Sequence, residues 1–187
     1  MPESDAQLLR RTLRGHSPSA RSLWERHAPG LRAYAASILG RARADAADDI
    51  VQSVFCSLLS PEMRLAAPAR DVPAWLAALT RNHALQHLRA GARARRREST
   101  PRPTATPTAR ESAILNRIDS LPRRLREVLY LRHVAGLTVD QTALALAISR
   151  GTVASRHHAA IQKLRSFIDP DDAMNQTPRE IRHALAT

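Results

Sequence analysis

Cysteine is almost missing from this chain: Cys56 stands alone. A single thiol closes no intramolecular disulfide and builds no multi-cysteine zinc site. Aromatic residues are scarce too, at 3%, so aliphatic side chains must build the core. Runs of β-branched residues are lacking, while Ala and Leu are frequent. That balance predicts an all-α protein. No 18 consecutive positions are apolar, so no membrane span is expected. The stretch Met1 to Ser17 lacks the apolar segment of a secretory signal, and the expected compartment is the cytoplasm. No nucleophile–base grouping, glycine-rich phosphate loop or metal-ligand cluster stands out. Hence no enzyme, no cofactor and no metal is expected. His83 and His87 are i, i+4, but no catalytic Glu lies between them. Lysine is reduced to Lys163, yet the net charge is +12. Arginine carries that excess, which favours a polyanionic partner such as nucleic acid.

The 187 residues allow one ordinary domain or two small ones. Pro101, Pro103 and Pro107 punctuate the stretch Glu98 to Arg110. Each removes a backbone donor and disfavours helix at the residue before it. This Pro/Thr-rich stretch reads as an extended linker that reaches at most roughly 45 Å. It separates residues 1–97 from 111–168, with a tail at 169–187. Two domains this small would each have a thin core.

Apolar spacing predicts helices on both sides. Leu23, Trp24, Leu31, Tyr34, Ala35, Ile38 and Leu39 form one broad stripe, with interruptions expected near Pro29 and Gly40. Ile50, Val51, Val54, Phe55, Leu58 and Leu59 form a second. Pro61 to Val72 reads as a loop, and Pro73 as the first residue of a long helix with a buried start and a basic end. Arg81, Arg89, Arg93, Arg95, Arg96 and Arg97 give that helix six positive charges without one acid between Arg81 and Arg97. Attraction to phosphates is the natural role of such a run; a solvated helix end is the plainer one. Conversely, no Lys or Arg occurs from Ala44 to Pro61, where Asp45, Asp48, Asp49 and Gln52 lie. An acidic patch on a basic chain suits a basic protein partner, although Asp48 and Asp49 would equally favour a helix N-terminus.

In the second half, Pro122 and Gly136 bracket one helix. Thr138 caps a helix to Ala147, and Ser149 caps another to about Phe167. This is the pattern of a helix-turn-helix. Ala143 is small enough for the crossing, and Leu146, Ile148 and Val153 lock the pair. The second helix would enter the major groove by its N-terminal turns. Ser149, Arg150, Thr152, Ser155, Arg156 and His158 would then face phosphates and base edges. In the tail, Thr177 to Glu180 reads as a capping box.

Together these stretches resemble the extracytoplasmic-function (ECF) group of bacterial sigma-70 factors. Leu137 to Arg165 with the preceding helix is similar to their domain 4, and residues 20–97 to their domain 2, in the family's order. The resemblance implies a subunit that binds core RNA polymerase and directs promoter-specific transcription initiation. Asp45, Asp48, Asp49 and Gln52 would dock on the β′ clamp helices. The Pro61–Val72 loop, Asn82, Arg81, Arg89, Arg93 and Arg95–Arg97 would open and hold the −10 element. Residues 111–168, through the helix-turn-helix, would read the −35 element beside the β flap. An anti-sigma factor is a common further partner in the family. Ala77, Ala78, Gln86, Ala147, Ala154 and Ala159 depart from the family's usual residues; a positive φ at Ala147 would cost about 1 kcal/mol. The other reading is a helix-turn-helix regulator that acts without touching polymerase.

Overall fold

The computed structural model describes residues 3–40, 43–60, 71–95 and 117–166, and among them every regular element is helical. Seven helices follow in order: α1 Asp5–Thr12, α2 Ser17–Leu39, α3 Ala46–Ser57, α4 Val72–Arg95, α5 Arg123–His133, α6 Val139–Leu146 and α7 Arg150–Arg165. A helical turn at 117–120 precedes α5. The loop at 61–70, the linker, Arg96, Arg97 and the tail with its capping box lie outside the described residues.

Local chemistry sets most boundaries. Ser4 and Gln7 form a capping box at α1, and Thr138 and Gln141 form another at α6. Ser149 accepts from the Thr152 amide at the start of α7. Gly136 turns the chain after α5 with φ +69°. Two boundaries shift by one residue from the expectation: α4 begins at Val72 and α5 at Arg123. One expectation fails. The stripe through Pro29 is a single 23-residue helix, not two pieces. Pro29 removes one helical donor, but it is exposed, so water can reach the carbonyl left over. Its neighbours Ala28 and Leu31 are buried and hold the helix in register.

Helices α1 to α4 form the N-terminal module, with α2 packed on α1, α3 and α4. Trp24 meets Phe55 edge to face, with centroids 5.0 Å apart. The start of α4 is buried through Val72, Ala74, Leu76, Ala77 and Thr80, as its apolar composition requires. Trp75 is half-buried against this core. Leu59, expected on the apolar stripe of α3, lies past the helix end and is exposed. Helices α5 to α7 form the C-terminal module around Leu125, Val128, Leu129, Leu131, Val153, Ala160 and Leu164. The modules do not stand apart. Helix α5 packs on α2, α6 packs on α4, and the buried apolar cluster runs through both. Two thin cores merge into one.

Candidate partner and nucleic-acid interfaces

Helix α3 buries Ala47, Ile50, Val51 and Val54. That leaves Asp45, Asp48, Asp49 and Gln52 exposed, at spacings that place all four along one side of the element. Asp48 pairs with Arg32 of α2, Nε to Oδ1 2.5 Å, with both side chains at least half exposed. A pair this wet contributes little and is easily exchanged for another cation. Among the described residues, Asp45 and Asp49 make no ion pair. The α3 surface therefore presents carboxylates and an amide with little intramolecular commitment.

The next face belongs to α4. Asn82, Arg89 and Arg93 are exposed along it. A shallow groove between α3 and α4 is lined by Asp49, Ser53, His83, Gln86, His87 and Arg93, so acidic and basic surfaces meet there. His83 and His87 gain no third ligand: among the described residues no group of three metal-binding side chains occurs. Ala77 is fully buried and Ala78 half-buried. Neither offers a stacking surface.

Arg81 behaves differently from Arg89 and Arg93. Its Nε donates to Oε2 of Glu127, at 2.8 Å, across the seam between modules. Arg123 holds the other oxygen of Glu127, Nε to Oε1 3.1 Å. The Glu127 side chain is only 4% exposed. Tyr34, also fully buried, lies beside this carboxylate without an aligned hydrogen bond to it. Burial first, and the Glu127 charge second, push the Tyr34 hydroxyl well above the usual phenol range. Sequence reading missed Glu127. The available signal was a lone acid on a helix whose neighbours Leu125, Val128, Leu129 and Leu131 are all apolar.

In the C-terminal module, α6 and α7 cross at a tight turn. Ala147 adopts φ 53° and ψ 48°, left-handed backbone, as its place in the turn suggested. Val153 and Leu146 are buried and Ile148 packs against them, while Ala143 is half-buried at the crossing. Ser149, Arg150, Ser155 and His158 are exposed on α7; Thr152 and Arg156 are half-buried. The Ser149 hydroxyl serves two tasks, capping the helix and meeting the Thr152 hydroxyl at 2.9 Å. Arg150 reaches back to Asp140, Nε to Oδ1 2.7 Å, in a well-exposed pair. Ala154, exposed on the same helix, adds no charge. Behind this face, the rings of His133 and His157 stack with their Nε2 atoms 2.8 Å apart. Burial, then the charges of Arg132 and His158, lower the His157 pKa.

Comparison with known proteins accounts for both modules. Residues 23–94 match the family described as Sigma-70 region 2, and residues 117–166 match Sigma-70, region 4. The chain is 31% identical over 170 residues to the ECF RNA polymerase sigma factor EcfG of Rhodopseudomonas palustris, spanning 84% of this chain and 89% of that protein. It is 32% identical over 156 residues to the ECF RNA polymerase sigma factor SigL of Mycobacterium tuberculosis, spanning 78% and 86%. The fold is similar to that of CnrH in complex with the cytosolic domain of CnrY, with TM-score 0.67, 24% identity and coverage of 90% and 99%. It is also similar to the sigma factor RpoE bound to the anti-sigma factor NepR from Bartonella quintana, with TM-score 0.60, 22% identity and coverage of 76% and 92%.

Proposed function

The chain belongs to the ECF group of sigma-70 factors, a non-enzymatic subunit that directs RNA polymerase to promoters, and on that premise we propose how its surfaces divide the task. The α3 face of Asp45, Asp48, Asp49 and Gln52 binds core polymerase at the β′ clamp helices. Helix α4 grips the opened −10 element: Asn82 offers an amide to an unstacked base, while Arg81, Arg89, Arg93 and Arg95–Arg97 hold phosphates. Helix α7 reads the −35 element in the major groove through Ser149, Arg150, Thr152, Ser155, Arg156 and His158, with the β flap alongside. The domains behind these roles are residues 20–97 and 111–168, joined by the 98–110 linker. The protein works in the cytoplasm, and an anti-sigma factor is a further partner. A sigma factor of similar fold has been solved with one.

One observation carries this division: on a chain of net charge +12, α3 exposes three carboxylates and an amide on one side. Such a face repels DNA and attracts a basic protein surface. The test is co-purification with core polymerase. The double variant Asp49→Ala, Gln52→Ala is expected to lose retention on core while it keeps its helical circular dichroism. Undiminished retention would remove α3 from the interface.

A further inference from the structure

From Leu137 to Ser166 the helix-turn-helix carries Arg150, Arg156, Lys163 and Arg165, but a single acid, Asp140. A carboxylate on the DNA side of such a motif repels phosphates and works against affinity, so its place is informative. Asp140 lies in the first turn of α6 and pairs with Arg150, the first residue of α7, Nε to Oδ1 2.7 Å. Capping does not account for it. Thr138 and Gln141 already serve the N-terminus of α6 with their reciprocal box.

The other side chains near the start of α7 have little freedom to read a base. Ser149 caps the helix and meets the Thr152 hydroxyl. The Ser155 hydroxyl donates to the Thr152 carbonyl. Arg156 is half-buried and lines a cleft with Arg81, Arg124 and Glu127. Arg150 is different. Its side chain is 74% exposed, it approaches Asp140 through Nε, and neither Nη atom has a hydrogen-bond partner among the described residues. The terminal fork stays open. Next to it stands Gly151, where an added Cβ would meet only the Ser149 Oγ, at 3.9 Å. The fold does not call for glycine there. The bare backbone instead lets another molecule come close to the first turn of α7.

A well-exposed ion pair is weak in water. Once DNA covers it, water leaves, the effective dielectric falls and the carboxylate holds the guanidinium more firmly. Asp140 then acts in two ways. It fixes one edge of Arg150, and it offsets the charge by which Arg150 would otherwise seek a phosphate. What remains is a planar pair of donors, which matches the O6 and N7 acceptors of guanine in the major groove. We propose that Asp140 is a positioning residue for base reading, one that turns Arg150 from a phosphate contact into the reader of a guanine in the −35 element. The proposal deepens the assignment of α7 under the proposed function and rests on it.

The test is promoter selection by holoenzyme. Core polymerase with the full chain transcribes a library randomised upstream, and the productive templates are sequenced. The parent chain is expected to prefer guanine at one −35 position by about fivefold to a hundredfold, the range of one bidentate contact. Arg150→Ala removes that preference. Asp140→Ala is expected to cut it at least about threefold at that position alone, and to steepen the salt dependence of promoter binding by up to about 1 as Arg150 turns to a phosphate. Asp140→Asn keeps an acceptor oxygen without the charge and falls between the two. Adding Asp140→Ala to Arg150→Ala changes nothing further at that position. A merely structural role for Asp140 would weaken every −35 position together and would overturn the proposal. So would an unchanged guanine preference with tighter binding, which would make Asp140 only a competitor of DNA. The two readings fail separately. If the parent selects no −35 element, or one that Arg150→Ala leaves intact, the reading of α7 falls and the proposal with it. If Arg150→Ala removes the preference and Asp140→Ala does not, the reading of α7 stands and the proposal alone falls.

Discussion

Ala147 and His157 are the residues at which local chemistry most clearly departs from the ordinary. Ala147 holds φ 53° in the turn of the helix-turn-helix, a region that costs a residue with a Cβ about 1 kcal/mol or more. Its side chain is exposed. Ala147→Gly is therefore expected to raise the unfolding free energy by about 0.5 kcal/mol, after allowing for the extra freedom glycine gives the unfolded chain. Urea denaturation would measure it. A loss of stability would mean the turn needs the methyl group. His157 is held below its ordinary pKa of 6.5 by burial and by the charges of Arg132 and His158, and His27 is lowered mainly by burial, with Asp5 opposing. For both, the unfolded chain binds a proton more readily than the folded one. Their contribution to stability is complete above pH 6.5 and is lost as pH falls through the lowered folded values. The melting temperature should fall on acidification from pH 7.5 to 5.5, and a His27→Asn, His157→Asn double variant should flatten that dependence. An unchanged slope would assign the acid sensitivity elsewhere.

At the scale of elements, the sequence made the helices legible because their ends carry their own chemistry. Thr138, Ser149 and Gly136 marked boundaries that the structure keeps, and Gln141 completes the box at Thr138. The helix-turn-helix was legible for the same reason: its crossing, its lock and its caps are all local. Pro29 misled because the rule that breaks a helix at proline weighs the lost donor and not the packing on either side. Here Ala28 and Leu31 bury while Pro29 faces water. For Arg81 the sequence pattern left out a partner. It sits in a run that periodicity groups together, yet its partner is 46 residues away, and no local pattern encodes that. Of the run's other members, Arg89 and Arg93 lie among the described side chains and are exposed as expected. Each should contribute one phosphate contact. Arg89→Ala and Arg93→Ala are each expected to weaken DNA binding by holoenzyme similarly for all sequences and to reduce the salt slope by about 1. A variant that instead changed which promoters are chosen would make that arginine a base reader.

For the whole molecule, sequence reading drew two domains on a tether, and the structure adds that they pack. Scarce aromatics and the small size of each module leave it a thin core. Packing α5 on α2 and α6 on α4 joins the cores into one buried cluster. Packing the two small modules on one another enlarges the apolar surface that each can bury. The linker, the acidic α3 face and the two arginine-bearing helices then act as parts of one device. Under the proposed division of surfaces, polymerase would be held on one side and DNA at two places on the other. The most direct measurement is in vitro transcription with purified core polymerase on a library of random upstream sequences. The account predicts start sites that depend on added factor and share two sequence elements at a fixed separation. Transcripts no different from those of core polymerase alone would contradict it.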